Sequence, residues 1–169
     1  MNRATHCLLT AVLAVLLGGC AGYRLGPAQS LPYHSVAVPM FKNKTLKPQL
    51  EAQVTNAIIQ RFQTDGTLKI EPAAEADIVI NGQITKFYRR ELRAVRTDVN
   101  TPREYRISIE ARVDARVRGT GELVFGPLLL EGHADTFIGT DLQSADEQAL
   151  PLIAADLAKR VVPLLAERW

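Results

Sequence analysis

Two apolar rhythms run along this chain, and one stretch near its start has none. Leu50, Val54, Ala57, Ile58 and Phe62 recur at steps of three and four, the spacing of an amphipathic helix. Pro48 suits the first turn of that helix, where a missing amide costs nothing. Asp65-Gly66 ends it, because glycine enters the left-handed region that stops helices. Leu150, Ile153, Leu157, Val161 and Leu164 repeat the spacing near the C-terminus. Ser144 with Glu147 three residues on reads as a capping box opening this second helix. Pro151 and Pro163 fall inside the pattern and are expected to kink or shorten it.

Between the helices the step becomes two. Ile78, Ile80 and Ile84 alternate with Asn81, Gln83 and Thr85. Ile107, Ile109, Ala111, Val113, Ala115 and Val117 face one way, and the intervening residues from Arg106 to Arg118 are mostly charged. Such a run predicts an antiparallel strand with one face covered and one wet. Gly119-Thr120-Gly121 turns the chain tightly. Leu128, Leu130, Ala134 and Ile138 continue the inner face, with Glu131, His133 and Asp135 outward. Shorter strands are expected over 35–41, where Pro39 suggests an edge position, and over 68–71, with a turn at 43–47 between them. The predicted class is α+β: a two-layer sandwich with two amphipathic helices packed on one face of a mainly antiparallel sheet of about four strands.

The stretch without rhythm is Cys7 to Leu17, almost wholly Leu, Val and Ala, preceded by Arg3 and followed by Gly18-Gly19-Cys20. Eleven apolar residues are too few to span a bilayer, which takes roughly 20. An ordinary signal peptide or an uncleaved anchor is the alternative. The pattern favours a lipoprotein signal peptide over residues 1–19, removed after a diacylglycerol joins the Cys20 thiol. Residues 20–34, with Gly22, Gly26, Pro27 and Pro32, then form a lipidated tether, and 35–169 a single α+β domain. Residues 20–169 number 150, enough for one core. With Cys20 committed to lipid no disulfide is possible within the chain, so 47% apolar residues must supply the stability.

Charge changes the picture further. The whole chain carries only +2, yet Lys86 to Arg118 holds ten basic and five acidic residues. Nine of the ten are Arg, suited to bidentate contact with phosphate or carboxylate. An exported lipoprotein does not meet nucleic acid, so lipid head groups or another protein are the expected partners. From Glu110 to Arg118 the signs alternate, and plain solubility explains them equally well. Arg89, Arg90, Arg93 and Arg96 are clustered at a hairpin end with only Glu91 among them, and read as an anion-facing surface with Arg103 and Arg106. No catalytic constellation is present in the sequence. His34 and His133 are solitary, and no GxSxG, phosphate loop or HExxH occurs. Asp141, Asp146 and Glu147 are better explained by the dipole of the second helix than by a metal. No cofactor and no enzymatic activity are expected.

Several segments together resemble the lipopolysaccharide-assembly lipoprotein (LptE-like) family. They are Cys20-Ala21-Gly22-Tyr23-Arg24-Leu25, Val36-Ala37-Val38-Pro39, Phe41-Lys42-Asn43-Lys44-Thr45, Pro48 with Leu50-Glu51, and Ala76 to Gly82. Ala21 departs from the pattern by separating the lipid cysteine from the Gly-Tyr pair. The resemblance implies two helices on a four-stranded sheet. It also implies an outer-membrane location at the periplasmic face and partners in the large β-barrel of the lipopolysaccharide translocon and in lipopolysaccharide itself. The implied role is to assist assembly of that barrel, plug it and aid lipopolysaccharide delivery. The family's lipopolysaccharide contacts lie near the central hairpin, so the Arg cluster matches them in location only. A periplasmic adaptor lipoprotein of another envelope transport complex is the alternative, and a lipid-anchored hydrolase a weaker one.

Overall fold

The computed structural model describes residues 32–93, 103–138 and 142–166, with backbone only at Arg93, Arg103 and Ile138. The expected signal peptide, Cys20, nearly all of the tether, and Arg96 lie outside these residues. The strands are β1 (Ser35–Ala37), β2 (Lys42–Asn43), β3 (Lys69–Ile70), β4 (Ile78–Arg93), β5 (Arg103–Val117) and β6 (Leu123–Ile138). The helices are α1 (Leu50–Asp65), α2 (Leu142–Val161) and the single turn α3 (Pro163–Ala166).

The helix periodicities become buried stripes. Leu50, Val54, Ile58 and Phe62 of α1 and Ile153, Leu157 and Val161 of α2 lose all or nearly all contact with solvent. Gly66 caps α1 at φ 74°, its N–H donating to the Phe62 carbonyl at 2.9 Å. Pro48 lies before the helix rather than in its first turn, because Gln49 adopts φ 64° and the helix begins at Leu50. The second helix begins earlier than its capping box predicts: α2 starts at Leu142, so Ser144 lies inside it. It passes through Pro151 and breaks only at Pro163, which opens α3.

The sheet has six strands in the order β3-β1-β4-β5-β6, with β2 paired to β4 further along. That corrects the expectation of about four strands. β1, β2 and β3 are two or three residues long and pair in parallel, too short to display a period. β1 sits between β3 and β4, fully buried, so Pro39 marks the exit from β1 and not an edge. The long antiparallel part is as predicted, with Ile107, Ile109, Ala111, Val113 and Ala115 wholly buried under the helices.

Two glycines set how closely the layers approach. A Cβ on Gly82 would lie 2.1 Å from the Phe41 ring, which fills the gap left between Ile80 and Ile84. A Cβ on Gly132 would lie 2.7 Å from the Ile153 carbonyl and 2.8 Å from Leu157 Cβ, so α2 rests directly on the backbone of β6. The N–H of His133 donates to the Asp156 carboxylate of α2 at 3.1 Å, covering part of this outer strand.

Candidate functional site

The first of two register shifts in β4, at Thr85, decides what Arg89 and Arg90 do; the second falls between Glu91 and Arg93. Ile84 pairs with Ala111 and Lys86 with Glu110, leaving Thr85 as an extra residue. A one-residue bulge exchanges the two faces of the strand that follows, up to the next such shift. Before it the even positions Ile78, Ile80 and Ile84 point to the helices; after it Phe87 and Arg89 do, opposite Ile109 and Ile107. Arg90 takes the other face, directly across from Arg106. The expected cluster is thus divided between the two sides of the sheet.

On the helix side Arg89 meets Asp146 of α2. Nε donates to Oδ1 at 2.8 Å and the terminal nitrogen to Oδ2, a bidentate clasp. Lys47 reaches the same carboxylate at 3.3 Å from the loop after β2. Both cations also lie over the Phe87 ring, 5.8 Å for Lys47 and 5.5 Å for Arg89. The Asp146 side chain is only 3% exposed, while Arg89 remains 38% exposed. Burial alone would push the Asp146 carboxyl up, but the hydrogen bonds and charges of Arg89 and Lys47 outweigh it and hold it low. Asp146 is therefore the hub of an ion cluster, which corrects its assignment to the helix dipole. Arg89, one of the expected anion contacts, is committed to this hub.

The opposite face is open and charged. Arg106 grips Asp135 bidentately at 2.7 and 2.8 Å, which draws the Asp135 carboxyl below its ordinary range. Hydrogen bonds from Ser108 and then Tyr88 likewise hold Glu131 low, despite some burial. Ser108 is itself buried on this side, so the face is wet around an ordered polar patch. Arg90 is exposed and forms no salt bridge with another described residue, though its charge adds to what holds Glu131 low. Arg93 stands in register with Glu104 and Arg103 with Ile138. Of the six expected arginines, the structure brings Arg90 and Arg106 together and sends Arg89 away.

Sequence reasoning passed over Lys44 and Lys47, which it assigned to a turn. With Lys86 and Arg90 they line a groove of about 620 Å³ beside β4, floored by Phe87 and Tyr88. Leu46 stands at its rim, completely exposed. The signal available in the sequence was Lys42, Lys44 and Lys47 set around one leucine. Among the described residues no group of His, Cys, Asp and Glu could hold a metal ion.

No curated protein matches the chain. Among solved structures, the hypothetical protein CT253 from Chlamydia trachomatis is similar with a TM-score of 0.55 at 12% identity, over 80% of this chain and 99% of its own. Protein XCC0632 from Xanthomonas campestris is similar at 0.52 and 9% identity, over 84% of this chain and 90% of its own. At such identities both likenesses concern the fold. The family model for lipopolysaccharide assembly, LptE, matches residues 33–164. That span takes in all six strands, α1 and α2, and the chain belongs to the LptE lipopolysaccharide-assembly family.

Proposed function

We propose that this protein is an outer-membrane lipoprotein, held at the periplasmic leaflet through Cys20, that helps assemble and plugs the β-barrel of the lipopolysaccharide translocon. The observation that carries this reading is the uncovered polar face of β4, β5 and β6. Both helices lie on the other side, so this face has no element of its own chain to meet among the described residues. A wide barrel offers a polar lumen, and a rigid sandwich with one charged face suits it. Arg90 and Arg106 stand side by side at the end of that face, where the phosphates of lipid A would find guanidinium donors. Arg93, Arg96 and Arg103 belong to the proposed contact by their nearness in sequence to these two residues. A Cys20 bearing two or more acyl chains would anchor stably, at about 0.8 kcal/mol per buried methylene.

The test is affinity purification of the tagged, lipidated chain from detergent-solubilised envelopes. Recovery of a large outer-membrane β-barrel in stable proportion supports the role. Recovery of an inner-membrane ATPase complex without a barrel overturns it, in favour of an adaptor for another transport machine.

A further inference from the structure

We propose that the open edge of β4, from Lys86 to Arg93, receives an extended acidic segment of a partner protein as an added strand. The inference goes beyond the plug reading and does not depend on the partner being a barrel. β4 is 16 residues long and pairs with β5 along nearly all of it. On its other side β1 and β2 occupy only the first part, and the last backbone hydrogen bond there among the described residues runs from the Lys44 N–H to the Ile84 carbonyl at 3.0 Å. Beyond Ile84 no described strand pairs with that side. Before the second register shift, the six residues from Lys86 to Glu91 at about 3.3 Å each leave roughly 20 Å of regular edge, room for a strand of ordinary length.

The groove lies where this edge begins. After Asn43 the chain leaves β4, and Lys47 is pulled toward Asp146 by the ion cluster. The resulting gap continues the line of β2, so an incoming strand would take the place that β2 vacates. Main-chain groups along such an edge offer a ladder of donors and acceptors. The lining charges specify what fits: Lys44, Lys47, Lys86 and Arg90 against the single carboxylate of Glu110. Glu110 already engages Lys86, and Asp146 engages Lys47. Lys44 and Arg90 form no salt bridge with another described residue, and Arg90 acts only at longer range on Glu131. A second copy of this edge would bring the same cations face to face, which like-charge repulsion disfavours. A lipid phosphate would satisfy the charges but leave the main-chain ladder unmet. An acidic strand answers both, and exposed Leu46 offers it one apolar contact at the rim.

The experiment places a photo-crosslinking benzoyl-phenylalanine at Lys86, Tyr88 or Arg90 of the full, lipidated chain in intact cells, and sequences the linked peptides. These three positions share one face of β4 at two-residue steps. An added strand must yield a single net-acidic segment whose linked residue moves by about two per step in one direction. A second set carries Lys44→Glu with Lys86→Gln, the crosslinker at Tyr88, and is expected to lose about fivefold or more in yield. The thermal midpoint of this variant is measured alongside, and the three-position register stands by itself if the variant unfolds. Crosslinks to a second copy, to lipid, to segments in no common register, or to nothing overturn the proposal. Loss of barrel co-purification with the register intact would remove the plug reading alone.

Discussion

Replacing Asp146 by alanine tests the ion cluster most directly. The carboxylate is 3% exposed and is the shared partner of Arg89 and Lys47. Removing one member of a buried pair costs about 3–5 kcal/mol, chiefly through the charge left behind. Here Arg89 is 38% and Lys47 19% exposed, so both regain some water on losing their partner. That lowers the expected loss to roughly 2–3 kcal/mol, or about 6–12 °C in the midpoint of a domain this size. Thermal and urea unfolding of the full chain in detergent would measure it. Arg89→Met and the double variant complete a cycle whose coupling should reach about 1 kcal/mol or more. The pH dependence has a definite sign. Asp146 titrates lower when folded than unfolded, so its contribution is complete above the unfolded value near 3.9 and disappears as pH falls through the folded one. The gap between wild type and Asp146→Ala should therefore close below about pH 4. A loss under about 0.5 kcal/mol, or single effects that simply add, would refute the account of the cluster.

Gly132→Ala should destabilise by about 1–3 kcal/mol, because its methyl meets the Ile153 carbonyl and Leu157, and denaturant midpoints would read this. Arg90→Glu and Arg89→Glu should separate cleanly. The first weakens lipopolysaccharide binding, most clearly at low salt, with the melting temperature unchanged, whereas the second lowers the melting temperature by placing two carboxylates together. Equal melting temperatures for the two would contradict the face assignment. Cys20→Ser should abolish palmitate incorporation and release the chain from sedimented membranes; a variant that stays membrane-bound would remove the proposed anchor.

Long periodic segments were legible because burial of one face demands a period, and both helices and the β4–β6 meander follow from it. The parallel strands were not, since two residues carry no rhythm. The division of the arginines was hidden for a different reason. Continuing the alternation from Ile80 and Ile84 would turn Arg90 inward, and only the apolar Phe87, three residues after Ile84, betrays the change of parity. Asp146 gave a similar clue. It precedes Ala149, Leu150 and Ile153 by three, four and seven residues, and so lies on the stripe that faces the sheet. Its acidity led instead to a helix-dipole role. The open edge could not be read at all, because it is defined by where β2 departs.

The extra residue at Thr85 makes this hairpin end sensitive to counting. One more insertion beyond it would leave every side chain chemically intact and still trade places between sequestered and solvent-facing cations, giving Arg90 to the helix and Arg89 to the medium. The ligand chemistry of such a surface can therefore be rewritten by a frame change of one, while every existing side chain and, for a neutral insertion, the net charge stay as they were.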